Sequence, residues 1–118
     1  MEISKELLSE VLGVNNISSI IYDINFPNII EYNQYATLAR GMRSTEINIY
    51  EFASRCKEWA SELDYEMESA TYRYNKGGYC FVSTFLNNTR FEARTEVEAI
   101  FLACEYILKE LNEKQLQH

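Results

Sequence analysis

A chain of 118 residues, 47% apolar and 25% charged, is long enough to bury one core and too short for two comfortable domains, so a single domain over residues 1–118 is expected. Its formal charge of −7 argues against direct nucleic-acid binding, which draws affinity from clustered Lys and Arg, and favours a protein partner with a basic surface. No apolar run approaches the roughly 18 residues of a membrane span, and the N-terminus lacks a signal-peptide pattern, so no membrane association and a cytoplasmic location are expected.

The first predicted element is a helix of about two turns in "SKELLSEVLG". Ser4 caps its first turn, Leu7, Leu8, Val11 and Leu12 form the apolar stripe, and Gly13 takes the left-handed position after the last turn. "ISSIIYDI" and "NIIEYN" are β-branched and aromatic runs flanking the turn-like "NFPN", which predicts two strands paired as a short hairpin. Residues 35–45 show no period and read as a loop with Arg40 and Arg43 exposed. A second helix starts at Asn48, which caps it, with Glu51 three residues on and Ile47 and Phe52 at the positions of a hydrophobic staple. Ile49, Phe52, Ala53, Cys56, Trp59, Ala60 and Leu63 recur at helical spacing and predict its buried face.

Three runs of strand character follow, at 65–74, 79–86 and 89–94, joined by the glycine-bearing "NKGG" and by Asn87-Asn88, so an antiparallel meander is expected. In the closing helix Thr95 and Glu98 make a capping box, and Ile100, Ala103, Cys104, Ile107 and Leu111 form the core stripe. Glu105 with Lys109 and Glu110 with Lys114 stand one turn apart on its wet side. The fold class is therefore α+β. An antiparallel sheet in an α-β-β-β-α core, residues 48–115, follows an N-terminal helix and hairpin, with 1–45 as the extension and 46–118 as the core.

The layout from residue 48 onward resembles the double-stranded-RNA-binding domain. It is also similar to small phage and prophage proteins built as helix-sheet-helix (ABA) sandwiches, whose last helix has the texture of Thr95-Glu96-Val97-Glu98-Ala99-Ile100, then Ala103-Cys104 and Ile107-Leu108. The RNA-binding family implies basic residues at the start of that helix. Here the matching positions are Thr95, Glu96, Val97 and Glu98, which would repel a phosphate, so the likeness does not extend to RNA binding. The phage-like layout, with an Asn-, Ile- and Tyr-rich composition typical of a low-GC genome, implies a viral accessory protein.

Strand alternation sorts the meander into two faces. Met67, Thr71, Cys80, Val82, Thr84, Leu86, Phe91 and Ala93 share the face suited to lie beneath the helices. Tyr72, Tyr74, Tyr79, Phe81 and Phe85 share the other, with Glu68, Arg90 and Glu92 at its margin. Five aromatics make a poor solvent face, so either residues 1–45 cover them or they form an interface, a homodimer included.

Catalytic constellations are lacking. The one His is His118, the last residue, no glycine-rich phosphate loop occurs, and Asp23 and Asp64 are the only aspartates. Glu66 and Glu68 point the same way from a strand, but two carboxylates on an exposed edge chiefly discourage aggregation. Cys56, Cys80 and Cys104 are odd in number, widely spaced and set among apolar residues, as buried thiols are; no disulfide, metal or cofactor is expected.

Charge is unevenly distributed. Residues 58–70 hold Glu58, Glu62, Asp64, Glu66 and Glu68 without a basic residue, whereas 71–95 hold Arg73, Lys76, Arg90 and Arg94 against Glu92. A non-enzymatic, phage- or prophage-encoded protein that binds a host protein is therefore expected, an inhibitor of a nucleic-acid-handling defence system being one form. Glu58, Glu62, Asp64, Glu66, Glu68, Tyr72, Tyr74 and Phe81 are its candidate contact residues. The alternative is a self-associating assembly module that uses the aromatic face.

Overall fold

The computed structural model describes residues 3–22, 28–35, 42–73, 80–86 and 88–116, with backbone alone at 42, 71–73, 80–85 and 115–116. Its elements run α1 (Lys5–Leu12), β1 (Ile17–Tyr22), β2 (Ile29–Tyr35), β3 (Met42–Asn48), α2 (Ile49–Glu62), β4 (Met67–Arg73), β5 (Cys80–Leu86), β6 (Thr89–Ala93) and α3 (Glu96–Leu116). The fold is α+β, and from α2 onward the order is α-β-β-β-α as expected. The chain divides into two compact units, Met1–Arg55 and Cys56–His118, and the division falls inside α2.

In the first unit, the Leu7 N–H donates to Ser4 Oγ at 3.1 Å, and α1 ends at Gly13, whose N–H bonds the Ser9 carbonyl at 2.8 Å. Gly13 has φ +68°, and a Cβ there would meet nothing within 4 Å, so it is the left-handed backbone and not crowding that calls for glycine. β1, β2 and β3 form an antiparallel sheet in chain order. The hairpin of the first two strands is as expected, but the third strand replaces part of the expected loop. Met42–Asn48, "MRSTEIN", lacks apolar alternation because the face that meets apolar partners has a single aliphatic residue: Ile47 pairs with the buried Ile30, whereas Thr45 pairs with the buried Tyr32 and Arg43 with Gln34. Its pairing with β2 makes it a strand; its own propensity does not. Arg43 is exposed as expected, whereas Arg40 lies outside the described residues.

Asn48 ends β3 and caps α2, its Oδ1 accepting from the N–H groups of Tyr50 (2.8 Å) and Glu51 (3.4 Å). Ile49, Phe52, Ala53, Cys56 and Ala60 are buried along α2, as the helical spacing predicts. Leu63 departs from the expectation, being 38% exposed, because it lies beyond the last helical residue.

In the second unit, β4, β5 and β6 form an antiparallel meander with β5 central. Asn88 turns the β5–β6 hairpin at φ 73°, while "NKGG" lies outside the described residues. Registers such as Met67↔Leu86, Tyr72↔Phe81 and Thr84↔Phe91 give the expected sorting into two sets of alternate positions. Leu86 joins Ala60, Tyr65, Ala103 and Ile107 in the core, with Trp59, Met67, Phe91 and Leu111 packed against it, and α3 lies on β5 and β6. The Thr95 cap of α3 forms, the Glu98 N–H donating to Thr95 Oγ1 at 3.2 Å, and the Glu98 carboxylate closes on the Thr95 hydroxyl, which donates to Oε1 at 3.4 Å. Val97, Ala99, Phe101 and Leu108 are buried beside the expected stripe, so α3 is enclosed over more of its circumference than one stripe implies.

Candidate functional site

The site begins where α2 stops. The Tyr65 N–H reaches back five residues to the Ala60 carbonyl at 3.0 Å, and the Asp64 N–H reaches back three to Ser61 at 3.0 Å. This pair of bonds satisfies carbonyls left open by the last turn, and it requires the residue between them and the helix, Asp64, to be left-handed. Asp64 indeed has φ 66°. The motif also folds the chain back so that Tyr65 joins Ala60 in the core and the next residues enter β4.

All five acidic candidates are exposed: Glu58 and Glu62 one turn apart on α2, Asp64 at the left-handed position, Glu66 ahead of β4 and Glu68 within it. None of them forms an ion pair with a described residue. A depression of about 300 Å³ opens beside two of them, Glu66 and Glu68, which line it together with Lys57 and Ser61 of α2, Tyr65 and Met67. Lys57 is engaged elsewhere, its Nζ 3.4 Å from Glu96 Oε1 on α3, which leaves the carboxylates to set the sign of the depression.

Of the aromatic candidates, Tyr72 and Phe81 are register partners, on the same set of alternate positions as Glu68 and Phe85. Among the members of that set with described side chains Glu68, Arg90 and Glu92 are exposed and Ala70 is half-buried, and Arg90 Nη2 pairs with Glu92 Oε1 at 2.8 Å. Tyr74 and Tyr79 lie outside the described residues.

One polar arrangement has no counterpart among the sequence candidates. The Tyr65 hydroxyl donates to Glu110 Oε2 at 2.8 Å and the Tyr106 hydroxyl to Glu110 Oε1 at 3.0 Å, while the Tyr106 ring tilts against Phe91 at 5.4 Å between centroids. Glu110 thus takes two tyrosines as partners, with Lys114 adding a favourable field. The bond from Tyr65, then that from Tyr106, holds its carboxyl below the usual range. Burial, then the bond and charge of Glu110, pushes Tyr65 up; for Tyr106 the Glu110 bond is the largest cause. Hydrogen bonding with Cys104, then burial, pushes the Cys56 thiol up, and Cys104 Sγ donates to the Cys56 carbonyl at 3.7 Å. Every one of these shifts moves its group away from neutrality.

No protein-family model, curated protein or solved structure matches the chain. Among the described residues no three of His, Cys, Asp and Glu are grouped to hold a metal ion, and no helix is long and apolar enough to cross a membrane. The sequence points to the five carboxylates but not to Lys57, Ser61 or Tyr65 as neighbours in one depression. The available signal was the end of α2 at Glu62, which swings Tyr65 inward.

Proposed function

We propose that the protein makes and breaks no bonds of its own and acts by docking its acidic surface onto a basic surface of another protein. The observation that carries this reading is the charge at the end of α2. The C-terminal end of a helix bears partial negative charge, which favours Lys or Arg there, and a left-handed C-terminal position favours Gly. This helix has no basic residue in its last turn, and Glu62 and Asp64 occupy those places. Folding alone disfavours that choice, and departures of this kind concentrate at functional sites. Further support comes from the net charge of −7.

The biological setting this reading favours is a phage- or prophage-encoded inhibitor of a host nucleic-acid-handling defence complex, such as a CRISPR effector, in the host cytoplasm. Such complexes hold basic channels, and a band of carboxylates offers them a phosphate-like surface, with electrostatic steering raising the on-rate. The test is affinity capture from the native host, using the wild type and a variant with Glu62, Asp64, Glu66 and Glu68 each changed to Lys. The variant is expected to keep its circular dichroism spectrum and lose the captured protein; undiminished capture would rule the reading out.

A second reading, self-association through the Tyr and Phe positions of the meander, is favoured by the Tyr72↔Phe81 register. Tyr72→Ser with Phe81→Ser separates the two, because only self-association predicts loss of an oligomer in sedimentation with charge-dependent binding unchanged.

A further inference from the structure

The acidic surface runs onto a sheet edge. In the order β4-β5-β6, β4 has a strand on one side only, and among the described residues none pairs with its other side. An edge strand presents main-chain N–H and C=O groups ready to accept another strand. The chain enters this edge through Asp64, Glu66 and Glu68, and the depression of about 300 Å³ is lined by the last two of these, with Lys57 on its α2 side paired to Glu96.

We propose that β4 is the docking edge: an extended, basic segment of the partner adds to it as a fourth strand and seats a Lys or Arg side chain in the depression beside Glu66 and Glu68. This rests on the reading of the acidic surface as the docking surface and adds its mode of recognition. Main-chain pairing supplies affinity, and side chains at every second position supply selection. Charge complementarity fixes the occupant. A second copy of this chain brings the same carboxylates and another −7 to the junction, whereas a strand with Lys or Arg at alternate positions places opposite charge there. The same carboxylates that deter pairing with other acidic or uncharged strands admit a basic one.

The probe is an acetylated, amidated Lys-Val repeat peptide of about eight residues, near the upper end of common strand lengths. Two control peptides carry N-methyl groups on every Lys or on every Val, which keeps the charge and the extended shape but removes the donors along one edge or the other. Binding is read by fluorescence anisotropy and by amide hydrogen exchange of the full chain. The unmodified peptide is expected to bind and to slow exchange at alternate amides between Met67 and Arg73. One N-methylated peptide is expected to bind about tenfold or more weakly, as the loss of one or two main-chain hydrogen bonds implies. Strand addition is overturned if the peptide does not bind, if β4 amides gain no protection, or if both N-methylated peptides bind as well as the parent. Binding that is insensitive to methylation but lost in Glu66→Lys/Glu68→Lys overturns strand addition alone and leaves charge docking standing. Binding indifferent to methylation and to charge reversal overturns both.

Discussion

Asp64 and Gly13 occupy equivalent places after α2 and α1, both left-handed, yet one carries a charge and the other no side chain. Asp64→Gly relieves backbone strain and removes a negative charge from the end of a helix, at some cost in unfolded-chain entropy. It is expected to raise stability by about 0.5–1 kcal/mol in urea unfolding while weakening partner capture. A less stable variant would mean that Asp64 serves the fold, contrary to the reading given. Glu110 supplies a pH test. Its folded pKa lies below the ordinary 4.5, so its stabilising contribution is complete above that value and is lost as pH falls through the depressed one. Glu110→Gln should therefore be less stable than the wild type at neutral pH, with the difference closing as pH falls below the ordinary carboxylate range in pH-dependent thermal melts. A difference that stays constant with pH would show that the Tyr65–Glu110–Tyr106 bonds do not depend on the charge.

At the scale of elements, Thr95→Ala leaves the Glu98 N–H without its cap and is expected to cost about 1 kcal/mol. Ile107→Ala empties a fully buried position beside Leu86 and is expected to cost about 3 kcal/mol, both readable from denaturant midpoints. What was legible in the sequence follows the range of the interactions. Ser4, Asn48 and Thr95 announce helix starts because each cap is satisfied within three residues, and Asn88 marks a hairpin by its own backbone preference. β3 is not legible because its strand character comes from β2, across a chain reversal, and because its outer positions are polar; Glu46 even stands opposite Glu31. Glu31 Oε1 accepts the Ser44 hydroxyl at 2.9 Å, which ties it within this face. Leu63 differs from its expectation for a related reason: helical spacing extends the apolar stripe one step past the residue at which the Asp64 turn ends the helix. The five carboxylates are legible as a cluster in sequence, whereas the depression beside Glu66 and Glu68 depends on how the turn at Asp64 sets the start of β4 against the end of α2.

For the molecule as a whole, function is read from charge, and exposed charges interact in a medium that salt screens over about 8 Å at physiological ionic strength. Affinity for a captured partner should therefore fall with added NaCl, mainly through a slower on-rate, whereas burial of an aromatic face would leave it nearly constant. The decisive measurement is the affinity of that partner, by titration calorimetry, for the wild type and for the variant with Glu62, Asp64, Glu66 and Glu68 changed to Lys. Four reversed charges, each worth about 0.7 kcal/mol, predict a loss of about a hundredfold with no loss of thermal stability, since Lys at positions 62 and 64 suits the end of the helix. An affinity within about twofold of the wild type, well under the 1.4 kcal/mol that a tenfold change represents, would contradict the account.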